Sequence, residues 1–180
     1  AMVSMPQTHE QWTSWGEVPP ERLNGKLRRL GLNFGAPGDR ATESGTLWID
    51  SPSVGGPSPI LPIKVLPEGA IYRYHHSLRV EGGRGWPWVA ASLSEGIESV
   101  TIKGFSKGKY LLRLTFLEPD ALQSGERMFD VLVQGKKLLS KYDVVKAAGG
   151  AMRSTVESFE GISIDDSLLI KFRAIEGAAL

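Results

Sequence analysis

The chain has three histidines, His9, His75 and His76, and no cysteine. A serine hydrolase needs a histidine positioned beside its hydroxyl, but His75 and His76 are adjacent on a segment that reads as a strand and point to opposite faces. The same alternation keeps one metal ion from taking both, so no metal site and no cofactor are expected. A glycosidase needs two carboxylates flanking the scissile bond, and no motif places such a pair. Asp165 and Asp166, in the run SIDDSL, read as a hairpin turn. Gly82-Gly83-Arg84-Gly85 leads into Trp86-Pro87-Trp88 with no helix start expected, so it is not a phosphate cradle. The residues point to recognition rather than reaction, and the chain is read as a non-enzyme. Trp86 and Trp88 are two residues apart, and on an extended segment that spacing turns both indoles one way, as a coplanar pair.

The composition narrows what is recognised. The 180 residues make one domain, long enough to bury a core. Twenty-one lysines and arginines balance 20 aspartates and glutamates, a net charge of +1. That is too weak a field for general nucleic-acid binding, so a neutral or weakly charged ligand fits better. Without cysteine there are no disulfides and no thiolate chemistry, and the compartment stays open. No apolar run reaches the roughly 18 residues of a membrane span. Ala1-Met2 reads as a cloning junction with no leader after it, so the expectation is a piece of a longer protein.

The elements that would position these residues are mostly strands. Twenty-one glycines and 11 prolines punctuate short β-branched and aromatic runs. In 109–117, KYLLRLTFL, Tyr110, Leu112, Leu114 and Phe116 share one face, as in a half-buried antiparallel strand. Phe129, Val131 and Val133 share a face of the next strand, Gln134-Gly135 turns, and Lys136–Tyr142 returns as its partner. Asp143 caps a single helical turn, Val144–Ala148, which Gly149 or Gly150 ends. Strands at Arg153–Phe159 and Leu168–Ala174 follow, the latter with Leu168, Ile170, Phe172 and Ala174 inward. Upstream, strands are expected at Leu30–Phe34, Thr46–Ile49, Ile60–Val65, Ala70–His76, Val89–Ser92 and Glu98–Lys103. About ten strands make two packed antiparallel sheets. The Pro- and Gly-rich stretch 50–69 reads as a long surface loop with one edge strand. Residues 1–29, with Trp12 and Trp15, read as an arm or linker, and 30–180 as the domain.

The stretches KYLLRLTFLE, then GERMFDVLVQGKKLLSKYDVVKAAGG, then SLLIKF resemble the malectin family. Their order is a strand ending Phe-x-Glu, a Gly-containing loop, Phe-Asp-Val, a short hairpin, an aromatic-Asp turn and a helix ending Ala-Gly-Gly. Upstream, Asn33, Gly35, Gly45, Trp48 and Asp50 are similar to the family's opening pattern. The resemblance covers about residues 30–176 and is strongest over 109–172. It implies an all-β, jelly-roll-like antiparallel sandwich with one short helix. It also implies a non-catalytic carbohydrate-binding module, of the kind appended in bacteria to larger exported proteins. Extracytoplasmic placement, a poly- or oligosaccharide partner and neighbouring domains of a parent protein follow as expectations.

A sugar ring offers a face of C–H groups and a rim of hydroxyls, so its binder needs a flat aromatic surface and a few fixed polar partners. By the resemblance, Trp48 stands where the family has a ligand-facing tyrosine, and Trp88 stands near a second one. Trp86 and Tyr72 join them as candidate ligand-binding residues. Arg84 is a candidate partner for an anionic sugar or a cover for the aromatic face. Two family features depart: the aromatic pair after Phe-x-Glu is replaced by Asp120 and Ala121, and Glu176 stands for the acid of the last loop. Asp120 is kept as a candidate hydrogen-bonding ligand. Asp130 and Asp143 are assigned to architecture. The rival reading is a docking module whose tryptophans and Pro-rich loop meet a neighbouring domain. The two readings differ in whether Trp48, Trp86 and Trp88 line one groove.

Overall fold

The computed structural model describes residues 21–23, 25–42, 46–54, 59 and 61–180. Trp12, Trp15 and His9, and much of the Pro-rich loop, lie outside the described residues.

The period-2 segments of the C-terminal half form the main sheet. Its five strands run in the order β12 (Lys136–Tyr142), β11 (Met128–Val133), β14 (Ser167–Glu176), β9 (Ser99–Lys103) and β6 (Ile63–Leu66), every neighbour antiparallel. β6 is the edge strand expected within the loop 50–69. Phe129, Val131 and Val133 of β11 sit beside Phe172 and Ile170 of β14, and Val100 and Ile102 continue the row on β9. Ala174 departs from the expected inward series, since it is exposed near the strand's end.

Across this sheet lies the long antiparallel pair β10 (Gly108–Leu117) and β13 (Ser154–Ile164). Tyr110, Leu112, Leu114 and Phe116 of β10 pack into the core, and Phe116 meets Phe129 with ring centroids 5.5 Å apart. Each apolar side chain buried here contributes about 1.5–3 kcal/mol. Mostly β, with 53% of the described residues in strands, the protein is an all-β sandwich.

Gln134 and Gly135 turn between β11 and β12 with φ of 50° and 81°, the left-handed pair that a tight hairpin requires. Asp143 caps α2 (Val144–Ala148) through the Lys146 N–H at 2.9 Å, and Gly149 closes the helix at φ 78°.

The N-terminal half supplies shorter ladders. β1 (Glu21–Leu23) pairs with β2 (Lys26–Arg29), and the buried Leu27 of β2 reaches the main core, so part of the expected arm packs on the sandwich. β3 (Gly31–Phe34) runs parallel to β5 (Leu47–Ser51), which also pairs antiparallel with β4 (Arg40–Ala41). β7 (Ile71–Tyr74) pairs with β8 (Ser92–Glu95).

Here the structure corrects the reading of Val89–Ser92 as a strand and of a single helix. Pro87–Ala90 form a second helix, α1, with Trp88, Val89 and Ala90 buried. Proline at the first helical position has a preset φ and no N–H to waste, and four apolar residues do not distinguish helix from strand. A helix therefore does follow Gly82–Gly85, contrary to the sequence reading, but it is one turn long.

Candidate functional site

Three tryptophans from two segments meet at one place. Trp48 comes from β5, Trp86 from the residue before α1, and Trp88 from α1 itself. Trp48 lies 6.0 Å from Trp86 and 5.6 Å from Trp88 by ring centroids, edge-on to both. Trp86 and Trp88 are 5.4 Å apart with their planes 16° from parallel. They stack on one another instead of lying side by side as expected, because Pro87 begins a helix and the segment is not extended throughout. Trp86 is 42% exposed and Trp88 only 8%.

Local sequence explains how Trp48 reaches this position. Its neighbour across the parallel ladder is Gly31, and a Cβ on Gly31 would sit 2.3 Å from Trp48 Cδ2. The indole therefore lies across bare backbone, which only glycine permits.

A cleft of about 180 Å³ opens beside the cluster, lined by Trp48 and Trp88 with Asn33, Arg40, Tyr74 and His76 among its other walls. The Arg40 guanidinium sits 4.5 Å from the centre of the Trp88 ring and is 6% exposed. Such stacking fixes the cation's position and adds about 0.5–2 kcal/mol. His76 accepts the Leu78 N–H at Nδ1, 3.2 Å away, so its neutral ring carries the proton on Nε2. Trp48 Nε1 and Trp88 Nε1 are both buried, and neither has a hydrogen-bond acceptor among the described residues. Behind the wall, Asp39 Oδ1 accepts the Asp50 N–H at 3.0 Å and Asp50 Oδ2 accepts the Val54 N–H at 2.9 Å. Burial pushes the Asp50 carboxyl up, and the neighbouring Asp39 adds to it against the opposing Val54 hydrogen bond.

Not all the sequence candidates join this cluster. Tyr72 lies outside the cleft, its hydroxyl pushed up by burial, while Tyr74 two residues on is in the lining. Arg84 is largely exposed; it donates to Thr155 Oγ1 at 3.3 Å and stands 3.9 Å from Glu157. Asp120 is engaged by two arginines, Arg73 at 2.9 Å and Arg127 at 3.2 Å. Those arginines also hold Glu95, at 2.5 and 3.0 Å, and Arg127 Nε stands 3.4 Å from Glu118. Glu118, the glutamate of Phe-x-Glu, is fully buried, and burial raises its carboxyl's pKa even though it accepts the Asp120 N–H at 3.0 Å. Glu176 is exposed at the end of β14.

The two motif aspartates have architectural contacts. Asp130 accepts from the Lys141 N–H at 2.9 Å and pairs with Lys137 and Arg173; Lys137 foremost holds its pKa at about 2. Asp143 accepts from Ser124 Oγ at 2.6 Å and the Gly125 N–H at 2.7 Å as well as capping α2.

Asn33, Arg40, Tyr74 and His76 were missed as lining residues. A signal existed for Tyr74, which shares a strand face with Tyr72, and for Asn33, which stands in the opening motif. Arg40 had no local signal.

Residues 99–178 match the malectin domain. That span begins at β9 and runs nearly to the chain's end, so the tryptophan cluster lies before it. Among solved structures, Bacteroides uniformis beta-glucuronidase 2 superposes with a TM-score of 0.62 at 16% identity, over 83% of this chain and 16% of that one. The ANX2 ectodomain from Arabidopsis thaliana superposes with a TM-score of 0.59 at 12% identity, over 79% of this chain and 43% of that one. The ANX1 ectodomain from the same plant gives 0.59 at 12% identity, over 79% and 42%. At these identities the likeness is one of fold. The chain spans less than half the length of each of these three proteins. No curated protein matches it. Among the described residues no helix is long and apolar enough to cross a membrane.

Proposed function

We propose that the protein is a non-catalytic carbohydrate-binding module that takes a poly- or oligosaccharide at the cleft lined by Trp48 and Trp88, with Trp86 stacked on Trp88 but outside the lining. The observation that carries this reading is the meeting of three indoles from two segments beside an open cleft with Asn33, Arg40, Tyr74 and His76 around it. The indoles supply apolar faces for the C–H side of a sugar, and the polar walls supply partners for its hydroxyls. The malectin match, in a family of carbohydrate-binding fold, supports the ligand class. In this reading Asp120 and Arg84 serve the scaffold, and the module belongs to a larger extracytoplasmic protein whose other domains are its neighbours.

The test is a titration with soluble oligosaccharides and polysaccharides, followed by tryptophan emission. A saturable shift is expected in the parent protein, lost in a folded Trp48→Ala variant. If no glycan shifts the emission, the cleft is better read as a docking surface for a neighbouring domain.

A further inference from the structure

Resting on the reading of the cleft as a sugar site, we infer that Asn33 is its specificity-determining residue, and that the ligand presents to the Asn33 amide two free hydroxyls on adjacent ring carbons. The placement follows from β3. Side chains alternate along a strand, and Leu32 and Phe34 pack against the main core, so Gly31 and Asn33 face the other way. Trp48, opposite Gly31 in the ladder, covers that bare backbone, and Asn33 comes next on the same face as a wall of the cleft. It is only 5% exposed, yet among the described residues its side chain has no hydrogen-bond partner.

No other polar group at the cleft combines burial with freedom among the described residues. Arg40 and Ser77 already have partners within the chain. His76 has given Nδ1 to the Leu78 N–H, and Tyr74 is more than half exposed, where water competes for its hydroxyl. The unpaired Nε1 atoms of Trp48 and Trp88, and the unpaired oxygens of Asp39 and Asp50, are buried, so a ligand in the cleft does not reach them. An amide offers an acceptor and a donor side by side in one plane, Oδ1 and Nδ2. Two gauche hydroxyls on neighbouring ring carbons meet both at once, one donating to Oδ1 and the other accepting from Nδ2. The same two-armed contact lets an asparagine read a donor beside an acceptor on the edge of adenine. Hydroxyls that are trans-diaxial, or of which one is blocked by a linkage or an ester, cannot make it. Because the amide is nearly buried, a sugar lacking either hydroxyl leaves one arm unpaired, which is what makes a hydrogen-bonding wall selective.

The experiment is calorimetric titration of the intact chain with trisaccharides of glucose, mannose, galactose and xylose, then with the singly deoxygenated forms of the tightest binder. Loss of either hydroxyl of one adjacent pair is expected to weaken binding at least about tenfold, and loss of a hydroxyl elsewhere by no more than about threefold. In folded Asn33→Ala the intact sugar should bind at least about tenfold weaker than in the parent, and the two deoxy forms should bind like it. Unchanged binding in Asn33→Ala, a contrast that persists there, or the lack of an adjacent pair in the parent overturns the inference and leaves the sugar site standing. No saturable binding of any of the four sugars by the parent overturns both. Should Asn33→Ala fail to fold, the NMR signal of the Asn33 side-chain amide in the parent decides. It should shift saturably with the intact sugar, and a signal that stays in place overturns the inference.

Discussion

The molecule gathers polar chemistry in two regions, and they are built on opposite plans. Around Glu118, three carboxylates and two arginines form ion pairs with one another: Glu95, Glu118 and Asp120 against Arg73 and Arg127, with contacts of 2.5 to 3.4 Å. Around Trp88, by contrast, aromatic faces take the main part: a guanidinium rests on a ring face, and three indoles pack edge-on or stacked on one another. Buried polar groups in a folded protein are normally paired, so an ionic cluster of this kind is accounted for by the fold, while aromatic faces beside an open cleft suit a ligand with an apolar face.

The comparison breaks most forcefully at Arg127. This side chain is nearly buried and holds all three carboxylates of its cluster. Arg127→Met keeps the length but removes the charge, leaving Glu95 and Asp120 with Arg73 and the buried Glu118 with no arginine. Removing one partner of a buried ionic network costs about 3–5 kcal/mol. Urea denaturation should show that loss with the slope unchanged, and the cluster would not be structural if Arg127→Met were as stable as the parent.

Gly31 tests the other region. Gly31→Ala places a methyl group where Trp48 Cδ2 now lies 2.3 Å away, so the indole must leave its seat over β3. Overpacking of this kind costs about 1–3 kcal/mol, less than the loss at Arg127. The larger consequence is functional: the Trp48 wall of the cleft moves, and saturable glycan binding should weaken by at least about tenfold. A folded Gly31→Ala protein that binds glycan as the parent does would show that the Trp48 position is not part of the site.

The same division separates what was legible in the sequence from what was not. β11, its turn and β12 were readable because every determinant is local: alternation at Phe129, Val131 and Val133, positive φ at Gln134 and Gly135, and a carboxylate at Asp143 in capping position. The indoles Trp48 and Trp88 were readable as candidates through a family resemblance, and the structure brings them together with Trp86. Their geometry was not readable. Pro87 starts a helix within four residues that also suit a strand, and that choice turned a coplanar pair into a stacked one. The ion cluster was invisible because it joins β7, β8, the end of β10 and Arg127, contacts that span 7 to 47 residues of chain. Arg40 was missed for the same reason: nothing near it in sequence announces Trp88.

Asp120 is where the two plans are hardest to tell apart, since a half-exposed carboxylate on a loop suits a sugar hydroxyl as well as an arginine. Its oxygens are divided, Oδ1 to Arg73 and Oδ2 to Arg127, and its N–H donates to Glu118. Asp120→Asn retains the shape and removes the charge. Arg127 keeps Glu95 and Glu118, and Arg73 keeps Glu95, so no buried charge is stranded. The stability cost should then be that of an exposed ion pair, about 1 kcal/mol or less. Glycan affinity should stay within about twofold, because the cleft's donors lie on β4, β5, α1 and the segment after β7. Titrating Asp120→Asn beside the parent measures both quantities. A loss of binding with stability intact would move the site to the cluster and reverse the comparison.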